Sequence, residues 1–284
     1  MREARAFSRQ RGRWTWGLVL GTGLLGLVGC GEKLYEERLE NTRKLYSHLE
    51  LLDANLHRDW VDPDYGVRLR VPLNFGMIPA TAAPSGSLSP DASPGTNSST
   101  PVGVDDRQPK YLNVELPGLR AAFAAKLRIV AVNGGAPDDS GFIYVLTNHH
   151  LANSGERART FHADLVAMLA QALHTAVKPE DWSEPKFPMK VGTFAETVAY
   201  KLAVISPREP IFGIERQFSV YMHQEGDVQV VILCVFPKDV DASEKLAERM
   251  PLCLETLRVP GDKLSRPAPA AGGTPSSKGP AVGF

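Results

Sequence analysis

The nine residues "VQVVILCVF", Val228 to Phe236, constrain this chain more than any other stretch. A strand turns successive side chains to opposite faces. Both faces of this run are apolar, so a strand made from it must be covered on both sides and belongs at the centre of a sheet. Glu225-Gly226-Asp227 ahead of it reads as a turn. Phe218, Val220 and Met222 alternate before that turn and supply the other arm of a hairpin.

Other segments add to the same sheet. Val67, Leu69, Val71 and Leu73 alternate with Arg68 and Arg70 after the turn "DPDYG", which predicts a half-buried strand. Leu127 to Val132 and Phe142 to Thr147 flank the turn Asn133-Gly134-Gly135. Phe194, Val198, Tyr200, Leu202 and Val204 predict a further long strand. Phe161, Leu165, Met168, Ala172 and Ala176 share one face of a helix over 160–177. Asp241 with Glu244 matches a capping box opening a last helix, which Pro251 should kink or split. The expectation is an α+β fold: a single α/β sandwich domain over 61–259 with a mainly antiparallel sheet.

Two segments stand outside that core. Residues 79–109 and 260–284 are dominated by Pro, Ser, Ala, Gly and Thr. Neither holds enough apolar surface to offset chain entropy, so both are expected to be disordered, the first as a long insertion inside the domain. Before the domain, residues 30–60 read as an amphipathic helix. Leu45, Leu49, Leu52 and Leu56 follow a 4-3-4 spacing. Leu34, Tyr35, Leu39, Tyr46 and Leu51 widen the stripe, which favours a helix docked on a domain over a self-associating heptad seam.

The chain's beginning bears on its address. The apolar stretch from Gly17 to Gly29 has 13 residues and five glycines, too short for a membrane span of about 20. Arg2, Arg5, Arg9, Arg11 and Arg13 precede it, the layout of a secretory signal over 1–29. Leu27-Val28-Gly29-Cys30 resembles the lipobox of bacterial lipoproteins. That resemblance implies cleavage before Cys30 and acylation of its thiol, palmitate among the acyl groups. Gly31 stands where an Asp would favour inner-membrane retention, so the expected location is the outer membrane of a bacterial envelope, facing the periplasm. Loss of 1–29 leaves 27 basic and 31 acidic residues, a net charge of about −4 that argues against nucleic acid as a partner.

The turn "DPDYGVRLRVP" and the final hairpin followed by "LAERMPLCLETLRV" are similar in pattern to PsbP-like domains. Uncharacterised envelope lipoproteins share that look. The PsbP-like resemblance implies a non-catalytic binding module on the lumen or envelope side of a membrane. A competing resemblance lies in "SGFIYVLTNHHLANSGE", Ser140 to Glu156, which is similar to the HtrA-type protease segment whose last His is the general base. It would make His150 the base. That chemistry needs a downstream Gly-x-Ser-Gly nucleophile loop, and none of the serines after His150 sits in one.

His149, His150 and His162 are close in sequence, but adjacent residues on an extended chain point opposite ways, and no Cys or carboxylate stands at a familiar zinc spacing. The three histidines are expected to be polar residues of a strand end and an exposed helix turn, and His223 to be solvated. The chain has neither GxGxxG nor GxxxxGK[ST], so no nucleotide cofactor is expected. Cys234 and Cys253 could meet as a disulfide outside the cytoplasm, although packing as two free thiols is the stronger expectation. Together these features point to a lipid-anchored envelope protein that binds an unidentified envelope partner. The alternative is an envelope hydrolase or metal-dependent enzyme built on the His149–His150 region.

Overall fold

The structure is a computed structural model that describes residues 15–80, 105–130, 138–189 and 196–264. The chain divides into an N-terminal unit ending at Leu52 and a second unit beginning at Asp53. The first is one helix, α1 (Thr15–Asn55, whose last turn passes into the second unit). Leu34, Tyr35, Leu39, Tyr46 and Leu51 are exposed along it. Among the described residues no helix is long and apolar enough to cross a membrane.

The second unit is the α+β fold expected. In chain order it holds β1 (Trp60–Val61), β2 (Arg68–Leu69), β3 (Gly76–Met77), β4 (Leu119–Arg128), β5 (Asp138–Thr147), α2 (Glu156–Ala172), β6 (Trp182–Ser183), β7 (Lys186–Phe187), β8 (Val198–Ala199), β9 (Lys201–Ile205), β10 (Arg216–Glu225), β11 (Val228–Pro237) and α3 (Leu246–Glu255). Seven strands form one sheet in the order β3-β4-β5-β11-β10-β9-β6, every neighbour antiparallel. The doubly apolar run occupies β11, the fourth of those seven strands, and Val228 to Val235 are all buried.

The two faces of β11 go to different layers. Val231, Leu233 and Val235 join Tyr144, Phe218, Val220 and Ala203 in a core closed by Phe161, Leu165 and Leu169 of α2. On the other face, Phe75 meets Phe236 with ring centroids 5.8 Å apart, and Tyr221 packs edge-on to Tyr200 and Phe187. Tyr200 donates its hydroxyl to the Leu254 carbonyl at 2.6 Å, which fastens α3 there. Burying both faces of one strand is what makes a run of eight apolar or satisfied residues stable in water.

Several boundaries differ from the sequence pattern. Val67, Leu69 and Val71 point inward as predicted, but β2 pairs with β1 in a separate two-stranded sheet, and Leu73 is exposed. The long strand predicted from Phe194 is broken at Tyr200: β8 pairs with β7, while β9 joins the main sheet. Phe194 lies outside the described residues. The helix ends at Asn55, so Leu56 belongs to the domain, bridged to Pro72 and 2% exposed. Asp241 caps only Ser243; the Glu244 carboxylate accepts instead from Arg128 N and Asn74 Nδ2, so no capping box forms. Helix α3 runs through Pro251 unbroken, because the interruption comes earlier, at left-handed Lys245.

Most of the 79–109 insertion lies outside the described residues, but its end is ordered. Arg107 pairs with Asp105 and donates to the Arg120 carbonyl at 2.9 Å. Gln108 exchanges two hydrogen bonds with the backbone of Leu116. The start of the 260–284 tail is also placed: the Asp262 carbonyl accepts from Asp227 N at 2.7 Å, across the β10–β11 turn. Gly226 sits in that turn at φ +57°, and a Cβ there would lie 2.2 Å from the same carbonyl.

Candidate functional site

The Asn148-His149-His150 stretch follows β5 as a single turn of 3₁₀ helix, so its three side chains diverge. Asn148 is fully buried. Its amide nitrogen donates to the carbonyls of Ala158 and Asp227, both at 2.9 Å, and its oxygen accepts from Gln229 N. Gln229 extends the network, donating to the Arg159 carbonyl and accepting from His162 N. These contacts tie the end of β5, the first turns of α2 and the start of β11 together. The Asn of the protease-like motif is therefore a structural pin.

His149 turns the other way. Its ring stacks on Tyr65, centroids 3.7 Å apart and 16° from parallel, and the Arg120 guanidinium lies 4.8 Å from the Tyr65 ring centre. Arg120 in turn holds Asp62, Nε to Oδ2 at 2.7 Å, and also reaches Asp64. Asp62 accepts from the backbone N–H groups of Asp64 and Tyr65, the self-bonding turn that "DPDYG" foreshadows. Burial pushes the Asp62 carboxyl up, but Arg120 and those two N–H groups outweigh it and hold the group below its ordinary value. Burial lowers the His149 imidazole against the pull of Asp62. Both oxygens of Asp62 are occupied, so that carboxylate is tied up in the clamp, while Nδ1 of His149 has no hydrogen-bond partner among the described residues. The cluster clamps the 62–67 turn to β4.

His150 is exposed. Its Nδ1 lies 3.1 Å from the Thr147 carbonyl, and its ring is perpendicular to Phe161. Neither a serine hydroxyl nor a carboxylate pairs with it among the described residues. His162 is elsewhere again and is not on an exposed turn: it is 6% exposed on α2, edge-on to Trp182 at 5.2 Å, because β6 returns beside that face of the helix. The three histidines do not converge, and no group of three His, Cys, Asp or Glu side chains suits a metal ion among the described residues. His223, expected in solvent, is half-buried and hydrogen-bonded to the Ala199 carbonyl at 2.9 Å. Alternation on β10 put it beyond Met222, but the return of β8 over that face could not be read from the pattern.

Cys234 and Cys253 are buried free thiols. Burial raises both, and for Cys234 the neighbouring Cys253 adds to the effect. Cys30 falls on α1, and its side chain lies outside the described residues.

Sequence reasoning did not find an open cavity beside the buried imidazole of His162. It measures about 440 Å³ and is lined by His162, Trp182, Ser183, Glu184 and Lys201. The only signal for it was the aromatic residue in "DWSEP", a short edge strand that carries no period to read. No protein-family model matches the chain, and neither does any curated protein.

Proposed function

We propose that this chain is a bacterial lipoprotein, held in the envelope by acyl chains on Cys30, whose α+β domain is a non-catalytic binding or assembly module for an envelope protein. The observation that carries this is the leader: five arginines, a short apolar run, then Leu27-Val28-Gly29-Cys30. Two or three acyl chains would anchor the chain stably, where one would not. Cleavage before Cys30 would leave the α1 residues Cys30 to Leu52 ahead of the second unit in sequence. The outer membrane, facing the periplasm, is the location that Gly31 favours. The competing protease-like reading would need His150 as its base, and His150 lies on the 3₁₀ turn with its Nδ1 3.1 Å from the Thr147 carbonyl, while His149 is stacked on Tyr65.

Metabolic labelling with an alkyne-bearing palmitate tests the anchor. The wild-type chain should be labelled and shortened, and Cys30→Ala should be unlabelled and retain precursor mass. Labelling that persists in Cys30→Ala would end the lipoprotein proposal. Crosslinking in intact cells followed by capture from solubilised envelope tests the partner; a chain that crosslinks only to itself would replace the module with a self-assembling one.

A further inference from the structure

The geometry points to the cavity at the β6 edge as a binding site for a small zwitterion, an α-amino acid or dipeptide that presents a carboxylate and an ammonium together. The cavity lies where the seven-stranded sheet ends. Trp182 of β6 stands directly across from Ala203 of β9, and Ala203 belongs to the core under α2. Directly opposed residues share a face, so the indole lies on the α2 side of the sheet. Lys201, two residues before Ala203 on β9, shares that face by alternation. His162 closes the space from α2.

Its volume, about 440 Å³, falls within the range of roughly 300–1,000 Å³ usual for small-molecule pockets. Two opposite charges line it, Lys201 and Glu184, and among the described residues neither is in an ion pair. Unpaired charges of opposite sign in one small cavity match a ligand carrying the complementary pair, through charge-assisted hydrogen bonds. Lys201 would take the carboxylate and Glu184 the ammonium. Trp182 meets His162 edge-on and is still 37% exposed, so part of the indole is open to the ligand's hydrocarbon or its cation.

His162 supplies the second, independent observation. It is 6% exposed, lines the cavity, and its Nε2 has no hydrogen-bond partner among the described residues. That nitrogen is closed off from solvent as the wall stands, so a polar ligand would meet it only with a small shift of the wall; the unpaired imidazole nitrogen is the deficit such a shift would fill. Burial and the nearby Lys201 lower its pKa to about 4, so the ring stays neutral and leaves the site's two charges balanced. The assignment does not depend on lipid attachment at Cys30.

The test uses the full chain in detergent. Saturation-transfer NMR is run with a mixture of α-amino acids and alanyl-alanine, and repeated with their N-acetyl and carboxamide forms. Glucose and inorganic phosphate represent neutral polyols and simple anions. Expected are transfer to the zwitterions, a change in Trp182 fluorescence in a background with Trp14, Trp16 and Trp60 replaced by Phe, and at least about tenfold weaker binding of the derivatives lacking either charge. Lys201→Gln and Glu184→Gln, both at exposed positions, should each weaken binding by a similar factor while leaving the thermal midpoint unchanged. Preference for glucose or phosphate, binding indifferent to both substitutions, or no transfer to any probe at about 10 mM would each overturn the assignment.

Discussion

Gln229 gives its backbone N–H to Oδ1 of Asn148 at 2.9 Å, a bond between residues 81 apart in sequence. Through the other end of the same amide, Asn148 reaches Ala158 and Asp227. One side chain therefore satisfies three backbone groups, from α2, the β10–β11 turn and β11, two of them fully buried. Asn148→Leu would strand all three, and leaving buried groups unpaired costs about 1–3 kcal/mol each, not additively. A loss of about 3 kcal/mol in urea unfolding is expected for Asn148→Leu. His150→Ala, which removes an exposed ring, should change stability by no more than about 1 kcal/mol. Equal effects would contradict the division between pin and surface residue.

What was legible in the sequence follows from what sets each element. The β11 run and the β10 alternation were readable because a strand's burial shows directly in its own period of two. Placing β11 at the centre needed nothing else. Phe161 and Leu165 were readable in the same way at helical period. By contrast, β1, β6, β7 and β8 have two residues each, too short to carry a period, and they are held by tertiary contacts such as the Tyr200 hydroxyl on Leu254. The stack of His149 on Tyr65 and the cavity at His162 are meetings of residues distant along the chain, and no local pattern encodes them.

Acid should destabilise the domain in two steps. His162 has its pKa lowered to about 4 by burial and by Lys201. A group whose folded pKa is depressed contributes stability above its unfolded value and loses it as pH falls toward the folded one. The first window therefore runs from about pH 6.5 down to 4, and the linkage is worth about 3 kcal/mol. Asp62 is also held below its ordinary value, so its contribution disappears at still lower pH. His149 is also held below its ordinary value by burial and adds to the upper window, so His162→Phe should shrink the upper step and leave the lower one. Urea midpoints measured from pH 8 to 3 check this, and an upper step of undiminished size in His162→Phe would refute the assignment.

Gly118 and Gly213 both take positive φ, +66° and +79°, but differ in surroundings. A Cβ on Gly118 would lie 2.1 Å from the Thr147 carbonyl and 2.6 Å from His150 Nδ1, whereas one on Gly213 would meet nothing within 4 Å. Gly213→Ala should cost only the left-handed backbone penalty, about 1–2 kcal/mol. Gly118→Ala adds a clash with backbone that cannot move without parting β5 from its Gly118 partner, where Thr147 N donates to the Gly118 carbonyl at 2.9 Å. The expected loss exceeds that of Gly213→Ala by at least about 2 kcal/mol. Thermal unfolding of the two variants side by side decides it.

The closest test of the central layer uses its two thiols. Cys234 lies on β11 and Cys253 on α3, and both are buried and free. Burial disfavours the thiolate, which is the reactive form, so both should resist alkylation while the fold is intact. In the Cys30→Ala chain, iodoacetamide without reductant should add nothing on the timescale that labels an exposed cysteine. In urea it should add two carbamidomethyl groups, because the sheet and α3 separate together and expose both sulfurs. Mass spectrometry distinguishes the outcomes. A chain that takes no label in urea until reductant is added carries a Cys234–Cys253 disulfide. Fast labelling of one thiol in native buffer would instead mean that α3 leaves the sheet on its own, and that Tyr200 and Leu254 do not hold it.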